Sequence, residues 1–195
     1  MTRNESPRAG ERGDNTLCTS DDTGTALEVN DVVSFLRNVR PEGQWVLTAI
    51  VPDGPICTST FRADQTDQLS RWLAAYEGNR NLYWQVNSSG DTTLHKKAKK
   101  ADIERAEWLH VDLDPHEGHD FARQRERILR RLSEFRPEPQ VIIDSGGGYQ
   151  AFWRIAPTTD LDDVEAINRW LANELNGDNC HNICLLYTSP SPRDS

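Results

Sequence analysis

The chain has 195 residues, 36% of them hydrophobic, and a formal net charge of −9. That length suits one ordinary domain with tails; no apolar run reaches the ~20 residues of a membrane span, and no apolar segment follows the polar N-terminus to make a signal peptide, so a cytosolic location with no membrane partner is expected. The acidic balance counts against tight, non-specific duplex binding but leaves room for a local basic patch, because only the local field acts on a bound anion.

Residues 1–25 are rich in Ser, Thr, Asp, Arg and Gly and read as disordered. Ala26 to Val39 is a predicted helix, with Leu27, Val32, Val33 and Leu36 on a loose apolar face and Asn30 or Asp31 as a cap. Trp45 to Val51 is a predicted strand, ended by Pro52-Asp53-Gly54-Pro55. Asp64 to Tyr76 repeats Leu69, Trp72, Leu73 and Tyr76 at helical spacing, and Gly78 and Asn79 stop it. Asn81 to Asn87 is a strand, followed by a polar turn and then the basic stretch His95-Lys96-Lys97-Ala98-Lys99-Lys100.

Trp108 to Leu113 is the next strand. His119 to Phe135 is an amphipathic helix with Phe121, Ile128, Leu129, Leu132 and Phe135 expected inward. Val141 to Ile143 reads as a short buried strand and Tyr149 to Ile155 as another. Leu161 to Leu175 is a helix whose expected stripe is Val164, Ile167, Trp170, Leu171 and Leu175. Strands and helices alternate, with one tight strand-turn-strand unit, so a mixed α/β sheet with helices on one face is expected. The four cysteines, Cys18, Cys57, Cys180 and Cys184, follow neither CxxC nor framework spacing and read as reduced thiols. Residues 184–195 resemble translated adapter read-through and are set apart as non-native, which leaves residues 26–183 as a partial domain.

Chemistry concentrates in Trp108-Leu109-His110-Val111-Asp112-Leu113-Asp114-Pro115. Strand side chains alternate, so Leu109, Val111 and Leu113 share one face and His110, Asp112 and Asp114 the other. Two carboxylates that close repel unless a cation neutralises them, and oxygen ligands suit Mg²⁺ or Mn²⁺. A bare DxD is common on solvated strand ends; the apolar approach strand and the proline stop favour a rigid, functional pair. The histidines His110, His116 and His119 nearby follow no zinc-ligand spacing.

A second concentration is Asp144-Ser145-Gly146-Gly147-Gly148-Tyr149-Gln150. Gly146, Gly147 and Gly148 allow positive φ, and successive N–H groups there offer an anion-binding concavity for a triphosphate, with Ser145 and Gln150 donating from its rim. The bland alternative is a flexible hairpin loop. The lysine cluster, Lys97 and Lys100 above all, is a candidate phosphate contact, against the alternative of a solvated turn.

In this order, these segments resemble the catalytic domain of the archaeo-eukaryotic primase superfamily, nearest to the primase-polymerases of phages, plasmids and mobile elements. The resemblance spans roughly residues 40–183. It implies an RRM-like, largely antiparallel sheet with helices packed on it, and metal-dependent, template-directed nucleotidyl transfer. It implies Asp112 and Asp114 as metal ligands, Ser145 and Gln150 as nucleotide contacts, and a third acid after the last helix, matched by Asp178. The expected partners are nucleoside triphosphates, a single-stranded DNA template and a helicase domain farther along the gene. Gln150 stands where that family usually has histidine; it keeps a hydrogen-bond donor but carries no positive charge. The Asp-Arg and Arg-Leu-Pro-Gly stretch usual after the third acid is absent, so this piece is expected to bind nucleotide and to be impaired in catalysis. Two alternatives stay open: a DxD nucleotide-sugar glycosyltransferase, and a replication-initiator module that binds nucleic acid without catalysis.

Overall fold

The computed structural model describes residues 26–52, 54–76, 80–92, 94–116, 120–180, 182–184 and 186–188. The expected tail at residues 1–25, the helix stop at Gly78 and Asn79, His119 and residues 189–195 lie outside them. In chain order the elements are α1 (Ala26–Val39), β1 (Trp45–Ile50), β2 (Ile56–Phe61), α2 (Thr66–Tyr76), β3 (Asn81–Gln85), β4 (Ala106–Leu113), α3 (Phe121–Glu134), β5 (Val141–Asp144), β6 (Tyr149–Thr158), α4 (Leu161–Leu175) and β7 (Leu186–Thr188). A short 3-10 turn, Lys100–Asp102, precedes β4.

The strands form two sheets rather than one, in the orders β2-β1-β3-β7 and β4-β6-β5. Every described pairing is antiparallel. The expected α/β class with antiparallel sheets and packed helices is therefore observed. β2 is not among the expected strands: its Ile-Cys-Thr-Ser-Thr-Phe run carries few apolar residues, and it lies at a sheet edge with Ile56 exposed. β7 lies inside the stretch set apart as non-native, and it pairs with Tyr83–Gln85 of β3. Asn30 and Asp31 fall inside α1 rather than at its start.

Each face of the β4-β6-β5 sheet meets a different core. Trp108 and Phe152 join Trp84 and the apolar residues of α1 and α2. On the other face Val111, Leu113, Tyr149, Ala151 and Trp153 pack under Leu132 of α3 and Leu171, Ala172 and Leu175 of α4. α4 also seals the open edge of β4, where Asn168 Oδ1 accepts from the His110 N–H at 3.0 Å. That task explains why Asn168, a polar residue, occupies the buried stripe of α4.

The expected apolar faces of α3 and α4 are partly corrected. Phe121 and Leu129 of α3 and Ile167 and Trp170 of α4 are exposed, whereas Leu132, Val164, Leu171 and Leu175 are buried as expected. Both helices share one face of a narrow three-stranded sheet, so only part of a wide apolar stripe on each finds a partner. β5 is also less buried than its apolar sequence suggests, because it is an edge strand with Ile142 on the outside.

The two sheets are joined by Asn87, which is fully buried. Its Oδ1 accepts from the N–H groups of Glu107 (2.9 Å) and Trp108 (3.1 Å). Its Nδ2 donates to the carbonyls of Trp108 (3.3 Å) and Ile183 (3.4 Å). The β4–β6 register slips between Ala106 and Trp108. Asn87 thus supplies an acceptor at the irregular place where the ladder breaks.

Candidate functional site at the end of β4

Cross-strand register sets the site. Trp108 lies opposite Arg154, His110 opposite Phe152 and Asp112 opposite Gln150, all on one face of the β4–β6 ladder. Leu109, Val111 and Leu113 point to the other face, as strand alternation requires. Directly opposed residues have Cβ atoms ~5 Å apart, so Gln150 is the immediate neighbour of Asp112. Gln150 is buried, and its Oε1 has no hydrogen-bond partner among the described residues. Asp112 and Asp114 are both half-buried.

Two glycines bring the other segments onto this strand end. A Cβ at Gly148 would overlap the Leu113 carbonyl and Asp114 Oδ1, so only glycine lets the hairpin loop lie directly on Asp114. A Cβ at Gly177 would sit 2.5 Å from the Asp112 carbonyl oxygen. Asn176 caps α4 in the left-handed conformation (φ 53°), and the Gly177 N–H donates to the Ala172 carbonyl at 2.8 Å. The chain then turns back, and the Asp178 N–H donates to the Asp112 carbonyl at 2.8 Å. A residue 66 positions away in sequence from Asp112 (178 minus 112) is thereby its backbone neighbour.

The glycine loop is more closed than its sequence implies. The Gly146 N–H donates to Asp144 Oδ1 (2.8 Å) and the Gly148 N–H to Ser145 Oγ (2.9 Å). Two of the three glycine N–H groups expected to form an anion concavity are therefore used inside the loop. Ser145 keeps its hydroxyl proton to donate. The loop is tied to α3 by Arg125, whose role no local sequence pattern signals. Its Nη2 donates to Asp144 Oδ2 (2.5 Å) and the Tyr149 hydroxyl (2.8 Å), Nη1 donates to the Gly146 carbonyl (3.3 Å), and the guanidinium lies 4.4 Å from the Tyr149 ring centroid. An arginine at alternate positions of a basic helix gives no sign in sequence of which member turns inward.

Partial burial raises the Asp144 pKa, but the Gly146 N–H and the Arg125 guanidinium outweigh it and hold the carboxyl below its usual value. A depressed carboxyl stabilises the fold above the unfolded-state value of about 4, and that contribution fades as pH falls through the lower folded-state value. Asp144→Asn is therefore expected to lower stability at pH 7, with the difference from the parent shrinking below about pH 4. Urea unfolding of both proteins at several pH values checks this; a difference that grows on acidification refutes it.

The lysine cluster is not brought to the acids. Lys100 Nζ contacts Asp162 Oδ1 (2.5 Å) and Glu165 Oε2 (2.7 Å) in the first turns of α4, and hydrogen bonds first to Asp162 and then to Glu165 raise its pKa. The acids lie past the other end of α4, whose 15 residues span ~22 Å. Lys97 is exposed and flanks Ala98, which is buried with Val164 near that same far end. His116 sits at the mouth of the acid site, its Nε2 2.7 Å from Asn176 Nδ2. A shallow cleft lined by Glu42, Arg105, Glu107 and Arg154 lies at the opposite end of the ladder and plays no part in this site.

Among the described residues, no three Asp, Glu, His or Cys side chains converge closely enough to cage a metal. Mg²⁺ seldom needs such a cage: one or two carboxylates suffice, with water and substrate phosphate completing its shell. Asp112 and Asp114, with the loop glycine pressed on Asp114 and an unpartnered Gln150 oxygen beside Asp112, fit that partial oxygen set. No described helix is long and apolar enough to cross a membrane.

By sequence, no family model and no curated protein matches this chain. By structure, it is similar to the archaeo-eukaryotic primase domain of the primase-polymerase of cyanophage S-2L, with a TM-score of 0.58 and 16% identity over 84% of this chain and 83% of that one. It is similar also to the catalytic domain of the primase RepB′ in complex with initiator DNA (TM-score 0.57, 15% identity, 82% of this chain and 74% of that one). A longer RepB′ chain gives a TM-score of 0.57 at 15% identity, and there the match covers only 49% of that chain, about half its length. The fold is that of archaeo-eukaryotic primase domains.

Proposed function

We propose that this domain binds nucleoside triphosphates with Mg²⁺ or Mn²⁺ and transfers a nucleotidyl group to a growing or initiating strand on a single-stranded DNA template. The observation that carries the reading is the meeting of Asp112, Asp114, Gly148, Gln150 and Asp178 at one end of β4. In the fold of primase domains, that is a constellation suited to phosphate chemistry. Replication of a phage, plasmid or mobile element is the setting in which such a domain would act.

In this reading Asp112 and Asp114 hold the cation, and Asp178, whose backbone but not carboxyl meets them in this structure, would turn its side chain inward as the third acid. Bound there, a divalent cation would neutralise phosphate charge and favour ionisation of the attacking hydroxyl. The protein's own groups do the rest. Ser145 donates its hydroxyl proton to a phosphate oxygen at the rim of the loop. Gln150 offers an amide to the nucleotide from a buried position, where a hydrogen bond counts for more than in water. Arg125 keeps the loop in place and adds positive charge next to it. Lys97 and Lys100 lie toward the other end of α4 and are not assigned to this nucleotide site.

Thermal unfolding separates this reading from its alternatives. Mn²⁺ with a deoxynucleoside triphosphate is expected to raise the midpoint by several degrees, since ligand at 100 times its Kd adds about 2.7 kcal/mol. Stabilisation by Mn²⁺ with a UDP-sugar, but not with the triphosphate, would favour a glycosyltransferase and reject the proposal. Binding of single-stranded DNA with no response to either nucleotide would leave an initiator module.

A further inference from the structure

We propose that the outer face of α3, ending at Trp170 of α4, is a track for a single-stranded nucleic acid. The proposal rests on the reading above and adds to it a surface apart from the acids. α3 carries five arginines against two glutamates in 14 residues, in a chain of net charge −9. Leu132 is its buried anchor. Arg123, Arg127 and Arg130, spaced i, i+4, i+7, form a stripe on the side facing away from that anchor, and all three are exposed. At ~1.5 Å rise per residue the stripe is ~10 Å long.

The two glutamates of α3, Glu126 and Glu134, share this outer face at i+3 and i+4 spacing from Arg123 and Arg130, but they form no ion pair with the stripe and leave the face net positive. Among the described residues Arg127 and Arg130 make no ion pair, and Arg123 has only a loose, exposed contact of 3.7 Å with Asp120. Like charges at i, i+4 destabilise a helix by a few tenths of a kcal/mol, a cost that brings no return in packing. A polyanion supplies the missing balance. The residue type points the same way, because the planar guanidinium fork matches phosphate oxygens in pairs where a lysine offers a single point charge.

A second, separate observation lies past the C-terminal end of α3. Trp170 is 51% exposed, its ring centroid 6.2 Å from that of Phe135, which directly follows α3. The Arg131 Nη1 donates to the Leu175 carbonyl at 2.6 Å and fastens the two helices together there. An exposed arginine row together with a half-exposed indole on the neighbouring helix is a combination by which single strands are gripped: cations follow the backbone and aromatic rings stack on unpaired bases. A duplex offers no unpaired base to Trp170. At its other end α3 reaches the acid site through Arg125, which binds Asp144 and Tyr149. The track thus leads away from the site along the side of the molecule.

Fluorescence anisotropy of a labelled oligothymidylate of about 25 nucleotides, titrated with the full chain over a range of salt, tests this. The triple variant Arg123→Ala/Arg127→Ala/Arg130→Ala is expected to bind at least about tenfold more weakly. Its slope of log affinity against log salt should be shallower by about two, at roughly 0.7 per lost phosphate contact. Trp170→Ala is expected to weaken binding about fivefold or more with the slope unchanged, because stacking releases no counterion. Parent-like affinity and slope in the triple variant, or tighter binding of a duplex than of the single strand, overturns the proposal. Stabilisation by Mn²⁺ and triphosphate should survive in the triple variant. If that stabilisation is present while the triple variant binds oligothymidylate normally, the track is wrong and the nucleotide reading stands. If the parent lacks it but the triple variant still loses the oligonucleotide, the track stands and the nucleotide reading falls.

Discussion

Asp112→Asn with Asp114→Asn is expected to reduce nucleotidyl transfer at least about 10³-fold, about 4 kcal/mol of transition-state stabilisation. Asparagine keeps the volume and one acceptor oxygen of each side chain but removes the charge that draws a hard cation. Since the pair sits on the rigid end of β4, with Gly148 against one acid and Gln150 opposite the other, the backbone should not move. The same change should abolish stabilisation by Mn²⁺ with triphosphate while leaving the circular dichroism spectrum unaltered. Binding therefore reports on the pair even if this stretch of chain turns over slowly. Primer extension and thermal unfolding in parallel are the measurements. Full stabilisation in the double variant would show that the nucleotide and its cation bind elsewhere.

Asn87→Ala should cost about 2–5 kcal/mol, the largest stability loss expected from a single polar substitution here. Removing the side chain leaves the N–H groups of Glu107 and Trp108 without their acceptor in a buried site, at roughly 1–3 kcal/mol each. The carbonyls of Trp108 and Ile183 lose a donor as well. For a chain of this size the midpoint should fall by roughly 4–20 °C, at about 2–4 °C per kcal/mol. Aspartate is no remedy, because it restores the acceptor but buries a charge. A loss below about 1 kcal/mol would mean that another group or a water replaces the amide. The site should suffer too. Asn87 fixes the start of β4, and β4 carries Asp112 at its far end.

How much of this was legible in the sequence varies with the range of the interaction. α4 begins and ends where periodicity and flanking residues place it, and α1 keeps its expected span although its cap does not, because a helix is decided by neighbours three and four positions away. The alternation in Leu109 to Asp112 gave the correct faces of β4, since the strand period is fixed by backbone geometry. Gly146 has the positive φ (78°) that a glycine hairpin suggests. β2 escaped notice because an edge strand of threonine and serine lacks a strong apolar pattern.

What needed the tertiary structure was every relation between distant segments. The lysine cluster precedes the acids in sequence yet pairs with the far end of α4, because Asp162 and Glu165 attract Lys100. Arg125 looks like its neighbours until the hairpin folds against it, and the loop's N–H groups look free until Asp144 and Ser145 claim them. Ile167 and Trp170 fit the apolar stripe of α4 but find no sheet left to cover. The sequence by itself determined that two carboxylates stand together at a strand end and that a glycine hairpin follows. Only the tertiary structure put Gly148 on Asp114 and the backbone of Asp178 on that of Asp112, because such contacts depend on where α4 packs, and local residue preference carries no record of that.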